Sequence, residues 1–473
     1  MKKRLMAITL STAIFCGIAG CTGTTVNSGS SAPDFDNSKF ETTQKFITIA
    51  DLPPDPNGSL ADYKGLGFSG FILTEDFVSL TSGGKMTDGY KKAIKALNDS
   101  GLDVYIRNQY NDPYYFDTTA DGSSEYDRKY SLDNRSLTNE FKENGGVKGF
   151  YMADEPDYDK LSSFAPLISW YNANYSDTYF HMNLFPSYAG QTVLKGHTYG
   201  EYVQEYIDKI IKNVNGKKSV CLDNYPFSKK GVIRPSFLSD LLIAALKTAE
   251  YNKSVSEKDK AYMGICVQTF YDSGLVDIQC SQDVSFQLLT GMAVGANLFE
   301  YFCYRSYLDG AVRLNGIMDT NMQKRVYDYV KQANEKYLDF SKVICAFDWC
   351  GVNTVYASDK KSIENEDAFS SVQDMTLENT GSLDLSKSKS KLDTLIGSFK
   401  KGENDGYLAV NYTLPSGGKS NVVELCFKNS DYVAIYRTGE SGLTCSTVKL
   451  TDGVVRIALD AGDGAFIIPL HKS

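Results

Sequence analysis

The chain has 473 residues, more than one hydrophobic core ordinarily serves, so two domains are expected. Its 42% apolar and 23% charged residues exclude a disordered chain, and a formal net charge of −9 speaks against nucleic acid and anionic membrane surfaces as partners. The 32 Tyr and 25 Phe against 2 Trp supply many rings with a polar tip, which suit sugar contact without demonstrating it.

The chain opens on a targeting pattern. Lys2, Lys3 and Arg4 precede a short apolar run that ends in Ile18-Ala19-Gly20-Cys21, the pattern of a bacterial lipoprotein signal covering residues 1–21. Cleavage there leaves Cys21 as a lipidated N-terminus, exported and held to the membrane at the cell surface. An ordinary secretory peptide is the alternative reading, since the run is too short to span a bilayer. Residues 22–43, rich at first in Ser, Thr, Gly and Asn, read as a tether. Of the other cysteines, Cys16 leaves with the signal and several lie inside apolar runs, where cysteine behaves as a small buried hydrophobe. A Cys345–Cys350 disulfide is compatible with export, but spacing does not decide it.

From residue 44 to 350, short apolar runs alternate with longer amphipathic ones. Strands are expected over 46–51, 68–73, 104–108, 147–152, 179–184, 219–223, 263–270 and 296–301. Helices are expected over 91–98, 161–174, 202–214, 236–250, 285–294 and 321–338. That order and length predict an α/β fold, a closed (β/α)8 TIM barrel. An open doubly wound sheet is the runner-up, although no Gly-rich phosphate loop follows the first strand. Residues 351–473 change texture: short alternating runs at 406–412, 422–427, 432–436, 454–458 and 465–470 predict a small antiparallel β-sandwich, joined through a polar, loop-rich stretch at 358–393.

Polar residues at the strand ends converge on one mouth. They are Asp51; Arg107 and Asn108; Asp154 and Glu155; His181 and Asn183; Asp223, Asn224 and Tyr225; Gln268; and Glu300, Tyr301 and Tyr304. Carboxylates, amides and tyrosines with almost no histidine describe a carbohydrate site, because sugars need hydrogen-bonding forks for hydroxyls and faces for rings. Cleaving a glycosidic bond takes two carboxyl groups, one of them protonated. Glu155 is the candidate acid: the run Val147 to Met152 ends abruptly in Asp154-Glu155-Pro156, and the proline should stop the strand and open a helix. The bland reading of the same acids is a helix N-terminus. Asp223 could equally be a strand-end turn residue, and Glu300 could point outward. Tyr225, Tyr301 and Tyr304 suit a core or wall better than a stacking platform unless the fold opens them. With histidines only at 181, 197 and 471, no metal-binding pattern is present, no cofactor is expected, and no G-x-S-x-G follows a strand.

Asp154-Glu155-Pro156 after Gly149-Phe150-Tyr151, Asn183-Leu184-Phe185-Pro186, Asp223-Asn224-Tyr225-Pro226-Phe227, the stretch from Gly295 to Tyr304 and Gly462-Asp463-Gly464-Ala465-Phe466 together resemble family 42-like glycoside hydrolases of gut bacteria, within the large clan of barrel glycosidases. The resemblance covers most of the chain after residue 45. It implies a carboxylate pair, with the acid/base glutamate after strand four at Glu155 and a nucleophilic glutamate after strand seven. The chain departs at the second position, where the seventh strand ends in Val267-Gln268-Thr269-Phe270. The second carboxyl must then come from elsewhere, with Asp223 the first choice and Glu300 the second. The rival expectation is a noncatalytic glycan-binding lipoprotein on a degenerate barrel.

Overall fold

The computed structural model describes residues 35–51, 60–73, 88–107, 146–227, 231–271, 278–309, 312–318, 324–439 and 442–471. Eight parallel strands close into a barrel: β1 (Ile47–Asp51), β2 (Gly70–Leu73), β3 (Asp103–Arg107), β4 (Val147–Asp154), β5 (Tyr179–Leu184), β6 (Lys217–Leu222), β7 (Ala261–Gln268) and β8 (Leu298–Phe302), with β8 returning to β1. This is the (β/α)8 architecture expected from the sequence, not the open sheet.

The strands read as apolar runs because both of their faces are buried. Every residue of β5 is buried. Alternation sends Phe180, Met182 and Leu184 out against the helices, and Tyr179, His181 and Asn183 into the barrel. Inside, Ile49, Ile72, Tyr105, Tyr151, Tyr179, Cys221 and Leu298 form an apolar plug. On β1, β3, β5 and β8 the next inward-facing positions, Asp51, Arg107, His181 and Glu300, are polar, so the barrel is apolar below and polar above.

At β4 the structure departs from the simple pattern. The strand runs to Asp154, two residues beyond the expected end, and its register against β5 slips between Tyr151 and Ala153. Two β4 residues oppose one of β5 there, a bulge that places Asp154 opposite Asn183. Strict alternation from Tyr151 would have turned Asp154 outward; the extra residue turns it in. Pro156 does not open an α-helix as expected. A 3-10 helix, Tyr158–Phe164, comes first, and the α-helix Ala165–Tyr175 follows.

β9 (Tyr307–Asp309) and β10 (Val312–Leu314) pair as a short hairpin. Beyond them lie β11 (Asp348–Val355), β12 (Lys389–Ser390), β13 (Thr394–Lys401), β14 (Asn404–Asn411), β15 (Asn421–Cys426), β16 (Ser430–Gly439), β17 (Gly442–Lys449), β18 (Val454–Leu459) and β19 (Gly464–His471). They form an antiparallel sheet ordered β11-β13-β14-β19-β16-β17 facing a smaller β12-β15-β18 sheet, with Ile396, Tyr407, Leu425, Ile457 and Ile467 between them. β11, β13 and β17 escaped the sequence reading, and the polar join holds a helix, Glu366–Val372.

The larger sheet turns its other face, including Leu395, Phe399, Leu408 and Phe466, onto the barrel helices as part of the main core. Contact is close: a Cβ on Gly397 would lie 2.5 Å from the Ala293 carbonyl oxygen, and the Trp349 indole N–H donates to that same oxygen at 2.9 Å. No helix among the described residues is long and apolar enough to cross a membrane.

Candidate active site at the barrel mouth

Two interlocked groups occupy the polar layer. In the first, Arg107 donates to Asp51 at 3.2 Å and to Asp154 at 2.8 Å, and its guanidinium lies 4.7 Å over the Tyr151 ring, whose hydroxyl donates to the second oxygen of Asp154. Burial alone would push the Arg107 guanidinium down, but the charges of Asp154, Tyr151 and Asp51 outweigh it and hold the group above its ordinary value. In the second, fully buried Glu300 is tied by both oxygens: His181 Nε2 at 2.7 Å and the Cys221 thiol at 3.9 Å on one, the Asn183 amide at 3.1 Å on the other. The far side of His181 meets the Ser219 hydroxyl at 2.9 Å. Glu300 therefore points into the barrel, not out to the helices.

Glu155 stands beside these groups in an unusual backbone state. Its φ is +48°, left-handed for a residue with a side chain, and its N–H donates to the Asn183 carbonyl at 3.0 Å. Such a conformation costs on the order of 1 kcal/mol and persists only where surrounding structure imposes it, commonly at functional sites. Burial first, then the charges of Asp223 and Asp154, push its carboxyl up to about 9 against a smaller opposing pull from Arg107. Asp223, one residue past β6, is also raised, by burial and by Asp154, with the Tyr225 hydroxyl pulling the other way. Oδ1 of Asp223 is buried without a hydrogen-bond partner among the described residues. Glu155 and Asp223 thus do not readily carry charge together, and near neutral pH the pair holds a proton.

Gln268 ends β7 with its side chain fully buried, and neither its amide nitrogen nor its oxygen has a hydrogen-bond partner among the described residues. Its backbone is held instead by Gln287, which accepts from the Gln268 N–H at 2.7 Å and donates to its carbonyl at 3.2 Å. Tyr225 borders the same region, packed edge-on to Phe270 at 4.9 Å. The structure thus brings Asp51, Arg107, Asp154, Glu155, Asn183, Asp223, Tyr225, Gln268 and Glu300 to one end of the barrel.

Two tyrosines are not brought there. Tyr301 follows the inward Glu300 and so faces out, buried against Phe68 with its hydroxyl donating to Asn334 at 2.8 Å. Tyr304 is buried among Tyr63, Phe68 and Phe71. Both are core side chains. Asn108 and Cys21 lie outside the described residues.

His181, which the sequence reading places at this mouth beside Asn183, pairs there with Glu300. Two residues went unnoticed in the sequence as parts of this end of the barrel. Asp240 accepts from the Ser187 N–H at 2.8 Å and the Asn224 amide at 2.8 Å, joining the loops after β5 and β6; burial pushes its carboxyl up to about 7. An acid within the apolar run Phe237 to Leu246 was a usable signal. Tyr188 had none beyond its place after Pro186.

The donor atoms of His181, Cys221 and Glu300 lie within 4.8 Å of one another, the one metal-competent cluster among the described residues. Their hydrogen bonds are already satisfied by each other, and a cation there would have to break the His181–Glu300 contact. A cavity of about 410 Å3 lined by Lys45, Thr48, Ser69, Asn334 and Asp339 opens at the start of β1 and β2, the opposite end from the carboxyls.

No family model and no curated protein matches the chain. Among solved structures, it is similar to a catalytic mutant of Gan42B, a GH42 β-galactosidase from G. stearothermophilus, at 10% identity and a TM-score of 0.46 over 91% of this chain and 100% of that one. A GH30 endoxylanase from Clostridium papyrosolvens C71 aligns at 14% identity and a TM-score of 0.44, covering 91% and 97%. The catalytic module of a family 98 glycoside hydrolase from Streptococcus pneumoniae, complexed with the LewisY pentasaccharide, aligns at 8% identity and 0.38, covering 90% and 98%. At these identities and scores none of them bears on the chemistry of this chain.

Proposed function

We propose that the protein is a glycoside hydrolase in which Glu155 is the proton donor and Asp223 the second carboxyl, acting as nucleophile or base on a sugar seated in the polar layer. The observation that carries this reading is Glu155 itself: a strained, partly buried acid whose carboxyl is held near 9, beside an aspartate that shares its charge burden. A protonated carboxyl can protonate a leaving oxygen at neutral pH, and a neighbour with an unpartnered oxygen can meet the anomeric carbon or its water. Glu300 is the weaker candidate because both of its oxygens are already engaged. Asn183 and Gln268 have buried amide atoms with no hydrogen-bond partner among the described residues, which sugar hydroxyls would satisfy. In the same reading, Cys21 carries a lipid that holds the enzyme at the cell surface.

A second reading, a noncatalytic glycan-binding barrel, is favoured by the lack of a carboxyl at the end of β7. The two part on one experiment: aryl glycosides and plant and host glycans incubated with the native protein and with Glu155→Gln. Cleavage by the native form and not by the variant supports the hydrolase. Binding by both with turnover by neither leaves the binding protein standing and removes the hydrolase.

A further inference from the structure

Only three large apolar side chains are exposed among the described residues, and two of them, Tyr188 at 42% and Val232, sit on the loops after β5 and β6 that frame Asp223. An exposed tyrosine on a loop is ordinary when it is free to move. Tyr188 is held. The Tyr225 N–H, two residues from Asp223, reaches its hydroxyl at 3.5 Å. The Arg234 guanidinium lies 4.5 Å over its ring, and the preceding peptide N–H, that of Ser187, is tied to the buried carboxyl of Asp240. Asp240 also holds Asn224, so the two loops are clamped together beneath the ring. Burial first, then the charges of Asp223 and Glu155, push the Tyr188 hydroxyl up.

Arg234 adds a second observation. Its Nε is buried without a hydrogen-bond partner, and no carboxylate pairs with its guanidinium among the described residues. Its guanidinium packs over the face of Tyr188, which leaves that side chain 42% exposed.

From this arrangement we infer that Tyr188, backed by Arg234, is the platform of a second sugar-binding subsite, at the rim of the mouth and next to the buried polar layer. Its ligand is a neutral hexopyranose or pentopyranose unit, whose C–H face stacks on the ring. The inference rests on the sugar site proposed above and extends it: the protein takes a glycan of at least two units, one in the polar layer and the next on Tyr188. Ordering the ring in advance removes part of the entropy that ligand binding would otherwise cost, which is the use of clamping an exposed side chain.

Calorimetric titration tests this on the native protein, Tyr188→Ala and Tyr188→Phe, all first checked for unchanged circular dichroism. The probes are β-1,4-linked gluco-, galacto-, manno- and xylotetraose and lacto-N-tetraose, each beside its reducing-end monosaccharide. The expected result is that at least one tetrasaccharide binds more tightly than its monosaccharide. Tyr188→Ala should weaken that tetrasaccharide about tenfold, and Tyr188→Phe should retain most of the affinity. Equal affinity in Tyr188→Ala and native protein overturns the subsite, as does a native protein that binds none of the tetrasaccharides. Failure of the hydrolase reading looks different: Tyr188-dependent binding with no cleavage products keeps the subsite and removes the catalysis.

Discussion

Arg107 holds Asp154 at 2.8 Å, one residue before Glu155 in the chain. Burial first, then the charges of Asp223 and Asp154, raise the Glu155 carboxyl to about 9 against the pull of Arg107.

Replacing Glu155 by Gln should therefore lower kcat/KM for unactivated glycosides by roughly 10²- to 10⁴-fold, the range of a general acid. The loss should shrink for dinitrophenyl glycosides, whose leaving group departs without a proton. Steady-state kinetics on paired substrates checks this; equal losses on both would remove Glu155 from the acid role.

The pH dependence has a definite sign. A proton donor held near 9 should support turnover across neutral pH, with activity falling as pH rises through about 9. For folding, the same group is raised from its ordinary value of 4.5, so the folded state keeps a proton that the unfolded chain has lost. Its favourable contribution is complete below about 4.5 and drains away as pH climbs to about 9. Glu155→Gln has no such proton to lose. Its melting temperature should rise relative to native protein between about pH 5 and about pH 9, and a constant difference across that range would contradict the shift.

Removing Arg107 should uncover Asp51 and Asp154 together. Arg107→Ala is expected to destabilise the fold by roughly 3 kcal/mol, and Asp154→Asn added to it should return part of the loss. Urea denaturation of the single and double variants measures this.

The buried pair behaves alike. His181→Ala leaves the Glu300 carboxyl without its strongest partner and should cost about 3 kcal/mol or more, with partial recovery when Glu300→Gln is added. Strictly additive losses in the double variant would show that the two side chains are not coupled.

Gln268 offers a test of opposite sign. Its amide is buried with both polar atoms unpaired among the described residues, so an apolar side chain of similar volume should fit more comfortably. Gln268→Met should stabilise the protein by about 1 kcal/mol while weakening glycan binding. Thermal melts read with and without a bound oligosaccharide separate the two effects.

How much of this was legible beforehand depended on periodicity. The eight strands announced themselves as runs buried on both faces, and their terminal polar residues marked the mouth. Alternation alone would also have shown that Glu300 and Tyr301 cannot both face inward. What one-dimensional pattern could not supply was the β4 bulge that turns Asp154 inward, since an extra residue leaves the composition of the run unchanged. Nor could it show the partner of His181, 119 positions away at Glu300. β17 was missed because none of its residues is fully buried, so its apolar alternation is faint.

The seam at Gly397 has a practical side. With a backbone carbonyl 2.5 Å from where any larger residue would place its first carbon, and with Phe399, Leu408 and Phe466 belonging to the same core as the barrel helices, the C-terminal sheets are not a detachable appendage. Cutting the gene near residue 345 to express a minimal barrel would strip one flank of the helix Ser281–Ala293 to bare hydrocarbon, and such a truncation should precipitate. The full-length chain should instead melt in one calorimetric transition.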